Sequence, residues 1–160
     1  MTAADLATPG ISHGSFTIER VFPHMTPARV SEAFSTPEGK AAWFVAPDSG
    51  WEPIERIFDF RVGGRERLRG RWASGDETDF DARFFDIVPG RRIVYTYDMW
   101  HNGRKLSVSL ATFEFMSAPD GATRFVMTEH GAFLDGYDDA GSRKRGSIGL
   151  VDQLERYLIG

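Results

Sequence analysis

Between Trp51 and His130 apolar side chains recur at every second position in six runs, and each run stops at a turn signal. The runs are IERIFDFRV, RERLRGRW, FDARFFDIV, RRIVYTYDMW, KLSVSLATFEF and ATRFVMTEH. Gly63-Gly64, SGDE, Pro89-Gly90, Asn102-Gly103 and PDG punctuate them. A period of two sends alternate side chains to opposite faces of a strand, and short polar turns join neighbouring strands antiparallel. A six-strand meander is therefore expected, and any other elements have to pack against its apolar face.

An earlier alternating run, FTIERVF from Phe16 to Phe22, adds a seventh strand. Two short helices follow it. Each opens on threonine then proline, Thr26-Pro27 and Thr36-Pro37, which couples an N-cap hydroxyl to a residue preset for the first helical position. The first should end near Phe34, and the second should carry Ala41, Ala42, Trp43 and Phe44. From about Asp139 to Leu158 the spacing becomes helical, with Ile148, Val151, Leu154 and Leu158 on one face and Gly146 and Gly149 allowing close approach. Within KLSVSLATFEF the apolar phase slips from Leu106, Val108 and Leu110 to Phe113 and Phe115, which predicts a bulge near Ala111-Thr112. The expected fold is α+β of the helix-grip kind: a curved antiparallel seven-stranded sheet wrapping a long C-terminal helix, with two short helices after the first strand. A loose tail over residues 1–14 and a single domain over 15–160 complete the expected organisation.

Composition narrows the function. The 160 residues include 13 phenylalanines, four tryptophans and four tyrosines, a heavy aromatic load that suits a large apolar interior or cavity. The absence of cysteine removes disulfides, thiolate metal sites and a cysteine nucleophile. A formal charge of −4 argues against a nucleic-acid surface, because phosphate affinity needs a basic excess. The row Arg65, Arg67, Arg69 and Arg71 is a local exception. Its period of two places it on one outer face, where Asp59, Asp79 and Asp81 of adjacent strands are expected to pair with it. No apolar run approaches the roughly 20 residues of a membrane helix, and MTAADLATPGISHG has neither a basic start nor an apolar stretch, so a cytoplasmic location is expected.

The stretch TEHGAFLDGYDD, Thr128 to Asp139, gathers the titratable groups with most potential. Adjacent Glu129 and His130 diverge on a strand, and Asp135, Asp138 and Asp139 lack the spacing of a calcium loop or a zinc helix, so no metal is expected. Asp138 or Asp139 suits the N-terminus of the last helix, where a carboxylate accepts free backbone amides. Alternation puts Glu129 on the face of Phe125 and Met127, toward the interior. There it has two readings: an acid or base with a raised pKa, or a structural partner of turn amides or of Arg143 or Arg145 on the last helix. His13, His24 and His101 fall in the tail or in turns, and no Gly-x-Ser-x-Gly motif exists. Gly63-Gly64 precedes a strand rather than a helix, so it is a turn and not a phosphate cradle.

From Phe16 to Leu158 the chain resembles the START-like (SRPBCC) superfamily, and within it the bacterial homologues of the heat-shock-protein-90 ATPase activator. TIERVF, AFSTPE with AAWF, DFRVGG, PGRRIVYTY, SLATFEF, GATRFVMTE and GAFLDGYDD carry the resemblance through their order and spacing. It implies a cavity between sheet and terminal helix. Many members carry Gly-Trp early in that helix where this chain has Gly146-Ser147, a departure that enlarges the cavity if the tryptophan points inward. Members with a comparable TE.GAFLDG segment commonly have an amide at the position of His130.

Inward positions along the strands are Phe58, Phe60, Leu68, Trp72, Phe80, Phe84, Tyr95, Tyr97, Phe113, Phe125 and Met127. From these, from Trp43 and Phe44 of the second helix and from Phe133 in the loop before the last helix, the expected ligand-binding residues are Trp43, Phe44, Phe60, Trp72, Tyr95, Tyr97, Phe113, Met127, Glu129 and Phe133, with Trp43, Trp72 and Phe133 near the cavity mouth. Three functions fit. The favoured one is a non-catalytic module binding a small apolar or aromatic ligand, with no cofactor, no nucleic-acid or membrane partner, and a homodimer left open. The second is a cyclase- or dehydratase-like enzyme using Glu129 with a tyrosine as acid/base pair. The third is a chaperone co-factor acting through its surface, which rests on the family name.

Overall fold

The computed structural model describes residues 9–45 and 50–160. β1 (Ile11–Phe22) leads to α1 (Pro27–Ser35) and α2 (Pro37–Phe44). β2 (Glu52–Phe58), β3 (Arg65–Arg71), β4 (Glu77–Val88), β5 (Arg92–His101), β6 (Arg104–Ala118) and β7 (Ala122–Leu134) follow, and α3 (Ala140–Ile159) comes last. The seven strands form one antiparallel sheet in the order β1-β7-β6-β5-β4-β3-β2. The meander thus runs in chain order and β1 closes against its last strand, which is the expected helix-grip topology.

The helix starts obey the capping rules. Thr26 accepts from the Arg29 amide at 3.2 Å and Thr36 from the Gly39 amide at 3.0 Å, each with proline next in the chain. Asp139 caps α3 by accepting from the Ser142 amide at 2.8 Å. Each cap satisfies an amide that the helix itself leaves free, and each is worth about 1 kcal/mol.

Four expectations change. The first strand begins at Ile11, so residues 11–14 of the expected tail pair with β7, and His13 lies opposite Ala132 within the sheet rather than in a tail. Residues 1–8 lie outside the described residues. The bulge expected near Ala111-Thr112 is absent, since β6 pairs regularly there. The register shifts instead between Met99 and Trp100, where β6 spends Leu106 as the extra residue. As a result Ser107, Ser109, Ala111, Phe113 and Phe115 all face inward, while Val108 and Leu110 are each 41% exposed on the outer face. On α3 the buried face runs through Ser147 rather than the expected Ile148, together with Val151, Leu154 and Leu158.

The core is aromatic. Phe34 of α1 meets Trp43, Phe113, Phe115 and Phe125 with ring centroids 4.8 to 5.8 Å apart, mostly tilted or edge-on. Burying one such ring contributes about 1.5–3 kcal/mol. The arginine row lies on the opposite face and is ion-paired. Both Arg65 and Arg67 grip a β4 carboxylate with two nitrogens, Asp81 at 2.8 Å and Asp79 at 3.1 and 2.8 Å, and Arg67 also reaches Glu55 at 3.0 Å. Asp59, expected in that row, pairs with Arg61 at 2.9 Å, because β2 ends at Phe58 and the chain turns.

On the inner face Glu66 of β3 meets Lys40 of α2 at 3.0 Å, both side chains only 3% exposed. The ammonium lies 4.4 Å from the centre of the Phe44 ring and 5.4 Å from that of Trp43. This buried pair fastens α2 to the sheet and thereby holds Trp43 and Phe44 in place. No helix among the described residues is long and apolar enough to cross a membrane.

Candidate functional site: a cavity beneath the terminal helix

A cavity of about 450 Å³ lies between the inner face of the sheet and the helices. Its size is within the range of sites for drug-sized molecules. Trp43 and Phe44 of α2, Trp72 at the end of the β3 hairpin arm, Tyr95 and Tyr97 of β5, Phe113 of β6, and Met127 and Glu129 of β7 all line it. Each was expected from its inward phase or its place at an element end.

Phe60 and Phe133 are not part of the lining. Phe60 lies past the end of β2, against Phe58 and Phe84 at 6.0 and 5.1 Å. Phe133 belongs to β7 rather than to a loop, since that strand continues to Leu134. It is 2% exposed, beneath the Arg143 guanidinium at 5.4 Å. Gly131 accommodates its ring, which any side chain at that position would strike. Trp43 is also buried rather than at the mouth, and its indole N–H donates to the Ala33 carbonyl at 2.9 Å.

Of the residues expected near the mouth, Trp72 does border the opening, together with others that the sequence reading did not place there. Trp51 lies flat on Gly70, where a Cβ would collide with its indole. It donates to Thr78 Oγ1 at 3.4 Å, as Trp72 does at 3.3 Å. Ser142 and Gly146 of α3 line the cavity and are exposed, which places the gap between the N-terminal half of α3 and the β3–β4 end of the sheet. The glycine inside the RERLRGRW strand is the sequence signal for this arrangement, because an interior strand glycine marks a close approach.

A charged network occupies the end near β7. Glu129 is 1% exposed, and the Tyr97 hydroxyl sits 2.9 Å from both its oxygens. Arg143 of α3 donates to the Tyr97 oxygen at 2.7 Å, to Ser107 at 2.7 Å and to Asp138 at 2.9 Å, and it approaches Glu129 to 3.7 Å. The inward serines of β6 leave room for that guanidinium, which is why the phase of β6 matters. Burial pushes the Glu129 carboxyl above its ordinary value against the opposing pull of Arg143 and the Tyr97 hydrogen bond. Burial likewise raises Tyr97, reinforced by the neighbouring Glu129 charge. Of the two readings of Glu129, the pairing with Arg143 is the one in place, while the carboxylate also faces the cavity. His130 points to the other side of the sheet, opposite Ser15 and Leu110. Among the described residues no group of three histidine, aspartate or glutamate side chains converges as a metal site.

Sheet, grip helix and internal cavity together define the architecture of the START-like (SRPBCC) superfamily. The family described as Activator of Hsp90 ATPase homolog 1-like protein matches residues 24–159, and the chain belongs to it. Proteins of this family and superfamily often bind hydrophobic ligands. The Mll3558 protein of Rhizobium loti is 41% identical over 92% of this chain and 99% of its own, with a TM-score of 0.84. An uncharacterised protein of Rhizobium leguminosarum is 39% identical over 94% and 97% respectively, with a TM-score of 0.86. An AHSA1-like protein of Aeromonas hydrophila, 23% identical over 91% of this chain and 92% of its own, shares the fold at a TM-score of 0.68. No functionally curated protein matches the chain.

Proposed function

We propose that this protein is a non-catalytic binding module that encloses a small apolar or aromatic molecule between the sheet and α3. The observation that carries the reading is the cavity itself: about 450 Å³ of space walled mainly by aromatic and aliphatic side chains, inside a small fold that could have filled it. Ser147, small and buried, lines the cavity at the position where the family resemblance implies a tryptophan, and this supports retained space rather than a packing defect. Native mass spectrometry of freshly purified protein tests the reading. A retained molecule of a few hundred daltons in one-to-one ratio is expected; a bare chain that also fails to bind any neutral apolar probe would contradict it.

One observation favours a second reading, an acid/base enzyme: Glu129 is buried, its pKa is raised, and it faces the cavity beside a tyrosine. Against it, the Tyr97 proton is directed to Glu129, and its oxygen accepts from Arg143, so the pair is engaged in an internal network. Glu129→Gln separates the two. A binding module changes ligand affinity modestly, whereas an enzyme loses turnover by about 10²-fold or more. The chaperone co-factor reading rests on the family name alone.

A further inference from the structure

Two side chains at the cavity, Tyr95 and Gln153, each present an oxygen that takes no hydrogen bond from the described residues. Tyr95 is 3% exposed and lines the cavity, yet its hydroxyl has no hydrogen-bond partner among the described residues, whereas Tyr97 two positions on is fully engaged. Gln153 of α3 also lines the cavity, and its Oε1 is buried without a hydrogen-bond partner among the described residues. A buried polar atom left unpaired costs about 1–3 kcal/mol, so Gln153 Oε1, at the same apolar cavity as the unengaged Tyr95 hydroxyl, points to a partner that arrives with the ligand.

The charges at the cavity decide the sign of that partner. Arg143 is the one cation among the described lining residues, and it faces two carboxylates, Glu129 and Asp138. It already donates to Tyr97, Ser107 and Asp138. A ligand carboxylate would therefore lose its hydration beside two like charges, with the compensating cation already shared. A hydroxyl carries no such penalty. It donates and accepts, so it can satisfy a tyrosine hydroxyl, and an amide in either orientation.

We propose that the ligand is an uncharged aromatic or alicyclic molecule bearing at least one hydroxyl, received by Tyr95 or Gln153, and that the cavity discriminates against carboxylates of the same skeleton. This rests on the binding reading above and gives it a chemical class.

Three probes of one skeleton test it at pH 7 by isothermal titration calorimetry: 2-methylnaphthalene, 2-naphthol and 2-naphthoate. All three fit the cavity by size, and they differ only in the group at one position. The naphthol is expected to bind at least tenfold more tightly than the naphthoate and several-fold more tightly than the methylnaphthalene. At least one of Tyr95→Phe and Gln153→Met should weaken the naphthol about three- to tenfold more than it weakens the methylnaphthalene. Naphthoate binding as tightly as naphthol, or variants that shift all probes equally or none, would overturn the hydroxyl proposal while methylnaphthalene binding still upholds the cavity. If no probe binds, the binding reading falls and the hydroxyl proposal falls with it.

Discussion

Glu129 shows how a buried titratable group ties a site to stability. Its carboxyl is pushed up by burial more than Arg143 and Tyr97 pull it down. Just above the ordinary glutamate value of 4.5 the folded state therefore still holds a proton that the unfolded chain has released. Stability attributable to this residue is fully present below that value and is lost as pH rises through the folded-state pKa. Glu129→Gln keeps the shape and removes the titration. The stability of the variant relative to wild type should therefore grow with pH across this window and then level off, as read by urea denaturation at a series of pH values. A wild type that instead gains on the variant with rising pH would mean that the ion pair with Arg143 dominates over burial. Ser147 and Gly146 act at the same scale but through volume. Nothing lies within 4 Å of a Cβ built on Gly146, which is exposed in a helix interior. Gly146→Ala should raise stability by about 0.5–1 kcal/mol in thermal or chemical denaturation.

Among the elements, α2 depends on one contact more than on its own length. An eight-residue helix is marginal by itself, and the Lys40–Glu66 pair anchors it to β3. Lys40→Met leaves Glu66 as an uncompensated buried charge and should cost about 3–5 kcal/mol, whereas the double variant Lys40→Met with Glu66→Leu should recover most of the loss. Denaturant midpoints of the two variants check this, and equal losses would show that Glu66 is not left as a costly unpaired charge when Lys40 is removed. Local signals carried most of the elements in the sequence: Thr26-Pro27, Thr36-Pro37 and Asp139 mark helix starts by chemistry confined to four residues, and alternation marks the strands. What depends on distant partners was not legible. Ser107 and Ser109 face inward because Arg143 from α3 and Phe133 from β7 fill the space that larger residues would have taken, so hydrophobicity alone misassigned β6. Glu66 and Lys40 look like surface residues until α2 is laid on the sheet. Phe133 reads as a loop residue because Gly131 and Asp135-Gly136 suggest an early turn, yet pairing with β1 carries the strand through.

For the whole molecule, the central question is whether the space under α3 is a binding site or a tolerated void. The aromatic residues and the inward glutamate were visible from alternation, and most of them meet at one cavity. Apart from Trp72, its opening was not visible, because it arises where Trp51, Trp72 and Thr78 come together opposite Ser142 and Gly146. A substitution that fills the space without touching the charged network decides the matter. Ser147→Trp puts an indole into the cavity from its α3 side, at a buried position that lines it. The measurement is fluorescence titration of the wild type and of this variant, each shown folded by circular dichroism, with the neutral dye N-phenyl-1-naphthylamine. The wild type should bind one dye per chain and the variant should bind at least tenfold more weakly, since the indole occupies the volume the dye requires. A folded Ser147→Trp variant that binds the dye as well as the wild type, or a wild type that does not bind it, would contradict the assignment of the cavity as the ligand site.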